Sequence, residues 1–331
     1  MAPALLGTFA NPSSVHAPGR AARALVDEAR DRLAEALHCR PREVVFTGGG
    51  SEADNLALRG VAAAAQAPGH LVVSAVEHEA VLETARHLEG RGWALTVLPV
   101  DGTGRVEPRS LEEALRPDTR MVSVMLANNE VGTIQPVAEL AELVHARSSA
   151  VFHSDATQAL GKVAIDVDAL GVDLLTVSAH KVYGPKGVGA LYVRQGVAIE
   201  AEITGGGQER TRRSGTENVA GIVGFAVAAE MAERERPAEV PRQRALTEEL
   251  GRLILDQLPQ ARATGAPSGD GRLPNFCTFA FPGAEGELLL LRLDRAGVYG
   301  SAGSACASGS LAPSHVLLAM GLPPDLAGAH L

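Results

Sequence analysis

Between Ala17 and His38 apolar residues recur at Leu25, Val26, Ala29, Leu33 and Leu37, the period of a helix with one buried face. The short apolar run Glu43 to Phe46 then predicts a strand. Thr47-Gly48-Gly49-Gly50-Ser51 interrupts it, and a second helical stretch follows through Leu58 to Ala65, with Ser51 suited to the N-cap. The alternation continues along the chain. Strands are predicted at "HLVVSA", "ALTVLPV", "RMVSVML", "AVFHSDA", "VDLLTVSAH" and "VGALYV". Helices are predicted at His78 to Glu89, at "SLEEAL" and at Val137 to Ala146. Apolar strands that alternate with amphipathic helices imply an α/β fold with a mostly parallel central sheet and helices on both faces.

After about residue 216 the pattern changes. Thr216 to Glu233 and Pro241 to Leu258 read as two long helices, "FCTFAFPG" as a strand and "EGELLLLRL" as a helix. This predicts a smaller α/β domain. We expect a large domain over residues 13–232 and a small one made of residues 1–12 and 233–331.

Composition narrows the partners. A formal charge of -9 argues against nucleic acid or an anionic membrane. The longest apolar stretch, Val219 to Ala229, is too short to span a bilayer, and "MAPALLGTFANPSS" lacks a basic leader. Cys39, Cys277 and Cys306 form no CxxC or zinc-ligand spacing, which fits reduced thiols in a cytoplasmic protein. Cys39 follows a helix end and Cys277 lies in an apolar run, both ordinary structural places. Of 30 basic residues only Lys162, Lys181 and Lys186 are lysine. A chain that prefers arginine this strongly keeps lysine where a deprotonable amine is needed, or by chance on its surface.

In open α/β sheets ligands gather at the carboxyl ends of the strands. There this sequence places Thr47 to Ser51, His78, Asn128 to Glu130, Asp155 to Gln158, and Ser178, His180 and Lys181. Each has a bland reading, a cap or a satisfied buried histidine, but five successive strand ends do not read as chance. A glycine turn entering a helix can cradle a phosphate. Together with an acid, an imidazole and a lysine it suits pyridoxal phosphate, which needs a Schiff-base amine, a carboxylate at the ring nitrogen and phosphate donors.

At "SAHKVYGPKGVGALYV" the chain resembles the class V aminotransferases, a group of the fold-type I pyridoxal-phosphate enzymes. "NPSSVH", "REVVFTGGGSEADNLAL", "ANNEVGTIQPV", "DATQALGK", "GGGQERTRRSGTENVAGIVGF" and "GSACASG" are similar to cysteine desulfurases of the NifS/IscS kind. That resemblance implies a homodimer that removes sulfur from L-cysteine, releases L-alanine and passes a persulfide from Cys306 to an acceptor such as an iron–sulfur scaffold. It also implies residue roles. Lys181 holds the cofactor and moves the Cα proton, Asp155 pairs with the ring nitrogen, Gln158 bonds the phenolic oxygen and His78 stacks on the ring. Gly50, Ser51, Ser178 and His180 hold the phosphate, with Thr216 reaching over from the second subunit, and Asn129 meets the substrate carboxylate side.

Two family segments are not in this sequence: the "YLDNAATTP"-like start and the "IRFSLGR"-like stretch whose arginine clamps the substrate carboxylate. Their absence leaves open a form that binds the cofactor without turnover; a separate competing reading is a related lyase or aminotransferase, acting for example on selenocysteine. The small residues around Cys306 predict a mobile segment over 304–310 that carries the thiol.

Overall fold

The structure is a computed structural model and describes residues 1–302 and 313–331. Its centre is a seven-stranded sheet in the order β1-β7-β6-β5-β4-β2-β3. The strands are β1 (Val44–Thr47), β2 (His70–Ser74), β3 (Ala94–Leu98), β4 (Thr119–Ser123), β5 (Val151–Asp155), β6 (Leu174–Ser178) and β7 (Gly189–Val193). From β3 to β6 every pairing is parallel, and β7 alone runs the other way, antiparallel to both β6 and β1.

Successive strand residues point to opposite faces, and both faces are dry. Val72, Val122, Phe152, Leu175 and Tyr192 pack on one side with α2 (Ala17–Ala36), α6 (Val137–Arg147) and the first turns of α8 (Val219–Gln257). Leu71, Val73, Met121, Leu174 and Leu191 pack on the other with α3 (Gly50–Ala64) and α4 (Glu79–Glu89). This two-sided burial is why the strand sequences are continuous apolar runs rather than alternating ones. Truncating Leu71 or Leu175 to alanine, each fully buried, would cost ~2–5 kcal/mol.

Three expectations change. Ser51 does not cap α3: the cap is Gly49, and Ser51 lies exposed in the first turn. Gly49 has φ 154°, a backbone that favours glycine over any residue with a Cβ. The two long helices are one, α8, of 39 residues, with Pro237 and Pro241 inside it. Each proline removes one intrahelical bond, but residues 230–250 are exposed or half-buried, so water can solvate the freed carbonyls. The strand expected at "FCTFAFPG" shrinks to β9 (Phe279–Ala280), which pairs with β8 (Arg262–Ala263) and bridges to His330.

The remaining helices are α1 (Ala2–Gly7), α5 (Pro108–Ala114), α7 (Val167–Leu170), α9 (Gly286–Arg295), α10 (His315–Ala319) and α11 (Pro324–Ala327). In α9 only Gly286 is buried. Val316, Leu317 and Ala327 of α10 and α11 pack on Val76, Met125 and Val131, at the carboxyl end of the sheet. No helix among the described residues is long and apolar enough to cross a membrane.

Candidate active site

The carboxyl ends of β1, β5 and β6 converge on the start of α3. A Cβ added to Gly50 would lie 3.0 Å from Thr157 Oγ1 and 3.5 Å from Ser178 Cβ. Backbone also approaches backbone there, since a Cβ at Gly189 would meet Gly49 C at 2.6 Å. The first-turn N–H groups of α3, including those of Gly50 and Ser51, have no intrahelical acceptor and face outward with the positive end of the helix dipole. Beside them Ser178 Oγ is hydrogen-bonded to His180 Nδ1 at 2.9 Å. Burial, and then the positive charges of Lys181 and Lys186, lower the His180 pKa. Thr157 Oγ1 is buried and has no hydrogen-bond partner among the described residues.

Asp155 ends β5 and is buried, with one carboxylate oxygen accepting the Thr157 N–H at 2.8 Å. Two further acids are buried nearby. Burial, and next the like charge of Asp155, raise the Asp54 pKa well above its ordinary value. Burial pushes Glu77 up to about 8, against the opposing effect of bonds from the Ser74 hydroxyl and the Met125 N–H. His153, bonded to Ser123 at 2.8 Å and Thr176 at 3.1 Å, is pushed down to about 3 by burial and stays neutral. Burial thus favours the protonated forms of Asp54 and Glu77, which limits like charge beside Asp155.

Lys181, Gln158, Asn129 and Glu130 line a cavity of about 990 Å³. Phe279, Phe281, Tyr299, Ser301 and Ala302 line it too. Lys181 itself is exposed, in a single 3-10 turn after β6. His78 caps α4: its Nδ1 accepts the Ala80 N–H at 3.1 Å, which puts the ring proton on Nε2. Thr216 is exposed. Cys306 and the segment expected to be mobile lie outside the described residues. Of the other thiols, Cys39 is pushed up to about 12 by burial, then by Glu43 and Asp168. Burial also raises Cys277, which lines the cavity two residues before β9. Neither is poised as a thiolate.

Two residues stand out that the site assignment from sequence omitted. Thr157 offers its hydroxyl next to Gly50, and its signal was its place between Asp155 and Gln158. Glu130 accepts a hydrogen bond from Ser314 Oγ, and burial pushes its pKa up to about 7, with Glu79 adding to the rise. Asn128, by contrast, is structural: its amide donates to Val76 O at 3.0 Å, and its carbonyl accepts the N–H groups of Glu130 and Val131.

These residues fit pyridoxal phosphate. The orphaned Thr157 hydroxyl, the glycine approach at Gly49 and Gly50 and the open helix turn suit a phosphate. The buried carboxylate and the lysine suit a ring nitrogen and an aldehyde.

A sequence profile of the class-V aminotransferases matches residues 1–323. A protein of Clostridium botulinum named cysteine desulfurase IscS is 47% identical, over 100% of this chain and 83% of its own. Among solved structures, a NifS-like protein superposes with a TM-score of 0.91 at 37% identity, covering 99% of this chain and 87% of that one. A structure described as SspA in complex with cysteine gives 0.85 at 36%, covering 99% and 91%.

Proposed function

The chain belongs to the cysteine desulfurases of the class-V aminotransferase family, and on that premise we propose a pyridoxal-phosphate enzyme that takes sulfur from L-cysteine, releases L-alanine and leaves a persulfide on Cys306. The observation that carries this reading is the shared cavity of Lys181, Gln158 and Asn129, with Asp155 buried close behind Gln158 in the chain. The first-turn N–H groups of Gly50 and Ser51, with the Thr157 and Ser178 hydroxyls and His180, would hold the phosphate. Asp155 would keep a proton on the ring nitrogen, Gln158 would bond the phenolic oxygen, and His78 would cover the ring face. The cofactor, once bound, supplies an electron sink for charge that develops at the substrate Cα.

Among the described residues Lys181 Nζ is the one amine lining the cavity, and it is the group that takes and returns the Cα proton. Asn129 orients the substrate from its carboxylate side. The Cys306 thiolate attacks the substrate sulfur: an S–S bond forms as the C–S bond breaks, and the electron pair left on carbon takes a proton to become the methyl group of alanine. The persulfide then passes to an acceptor protein, for which an iron–sulfur scaffold in the cytoplasm fits this family.

Thr216, exposed in one chain, would complete the phosphate site of a second copy. Leu6, Phe9, Val15 and Tyr183 are large apolar residues at least 88% exposed, which supports a homodimer. We place the division between large and small domains within α8, near residue 233.

The test is reconstitution with pyridoxal phosphate and L-cysteine. Alanine should be released in step with sulfur, and Cys306→Ser should stop sulfur transfer while keeping the visible absorption of the bound cofactor. A Cys306→Ser variant that transfers sulfur normally contradicts the reading.

A further inference from the structure

Lys162 is one of three lysines in an arginine-rich chain, and no role described above uses it. It follows Gly161, whose φ of 70° and close approach to α8 fix the turn: a Cβ there would meet Ala232 Cβ at 2.6 Å. From this turn the Lys162 side chain reaches back under the site. Its Nζ donates to the backbone carbonyl of Gln158 at 3.1 Å and to that of Lys181 at 3.4 Å. One ammonium thus ties together the two turns, after β5 and after β6, that present Gln158 and Lys181 to the cavity.

No carboxylate is among the groups that shift it: burial, and then the like charge of Lys181, lower its pKa to about 8. Glu233, the acid beside this turn on α8, is engaged elsewhere, with one oxygen on the Gly161 N–H at 3.0 Å and the other on Arg236 at 3.0 Å. An ammonium held by main-chain carbonyls rather than by a carboxylate keeps its positive charge uncompensated beside Lys181. A planar, wider guanidinium would not reproduce this compact contact, which accounts for lysine surviving here.

We propose that Lys162 is a positioning residue for the cofactor site, a clamp that sets the spacing between Gln158 and Lys181 and holds a positive charge next to Lys181. This rests on the reading that those two residues meet the cofactor.

The experiment compares the wild type, Lys181→Ala and Lys162→Met, each stripped of cofactor and titrated with pyridoxal phosphate. Lys162→Met keeps the aliphatic stem and removes both charge and donors. The clamp predicts binding weakened by about tenfold or more, with the melting temperature of the cofactor-free protein little changed. It also predicts that the pH midpoint of the visible absorption band moves upward, because a like charge beside Lys181 has gone. Lys162→Gln, which restores a neutral donor, should recover part of the affinity without moving the band midpoint back, and it is read in place of Lys162→Met if that variant does not fold. Wild-type affinity and an unmoved band in the variant overturn the clamp. If instead the wild type forms no visible band, or Lys181→Ala keeps it, the underlying reading of the site fails.

Discussion

Asp155 and Glu130 are both acids at the carboxyl ends of central strands, and the fold holds them in different ways. Asp155 ends a central strand, with β4 and β6 on either side and buried helices on both faces. Glu130 sits half-buried in the turn after β4 and meets Ser314, 184 residues away in sequence, through one side-chain bond. The site floor is therefore part of the sheet, while its rim is an agreement between distant segments. The rim includes α9, where Leu288 and Leu291 are 43% and 55% exposed. A cofactor needs a fixed floor, whereas a thiol that must visit the cofactor and then an acceptor needs neighbours that can give way.

Substitutions at the floor should accordingly cost chemistry more than stability. Asp155→Asn keeps an acceptor for the Thr157 N–H but removes the charge, and alanine formation should fall by ~10²–10³-fold with a nearly unchanged melting temperature. A variant that loses stability instead would make Asp155 a structural acid.

Glu77→Gln sharpens the claim that the acids behind Asp155 are neutral. Glu77 is pushed up to about 8 in the fold from an ordinary 4.5. Between those values the folded state keeps a proton that the unfolded state has lost. Its contribution to stability is thus fully present below about 4.5 and disappears as pH rises through about 8. The variant should flatten this part of the denaturation profile by up to ~1.4 kcal/mol per pH unit. An unchanged slope would mean that Glu77 is ionised in the fold.

Gly50→Ala tests the phosphate end. The added Cβ crowds Thr157 Oγ1 at 3.0 Å, and pyridoxal phosphate should bind about tenfold more weakly, read by titration of the cofactor-free protein. At the rim the expected effect is smallest. Above about pH 7, where Glu130 is ionised, Glu130→Gln exchanges a charged acceptor of the Ser314 hydroxyl for a neutral one, a loss of ~1 kcal/mol. It should appear as faster hydrogen exchange at the N–H groups of Val316 and Leu317, which Ser314 caps. Equal protection in the variant would make the rim as firm as the floor.

The same contrast decides what could be read from the sequence. The floor was legible because each apolar run ends in a polar residue that has no place in a core: Asp155 after Phe152, Ser178 after Val177. Period and strand-end position carry that information locally. Thr157 and Lys162 were harder, because their roles depend on which turns the sheet order brings together, and β5 meets β6 only once the sheet forms. The continuity of α8 was hidden by Pro237 and Pro241, which local preference reads as breaks and which exposure makes tolerable. Ser51 misled for a related reason: a serine at a helix start normally caps, but here the chain enters α3 through a φ of 154° at Gly49, a backbone that favours glycine in the cap position.

The central claim, that the strand ends around Lys181 form the cofactor site from which Cys306 takes sulfur, is tested most directly by Lys181→Ala reconstituted with pyridoxal phosphate and L-cysteine. The account predicts no visible absorption from a lysine-bound cofactor, and no alanine or Cys306 persulfide above background, in a protein that remains folded. Alanine and persulfide formed at the wild-type rate would contradict it.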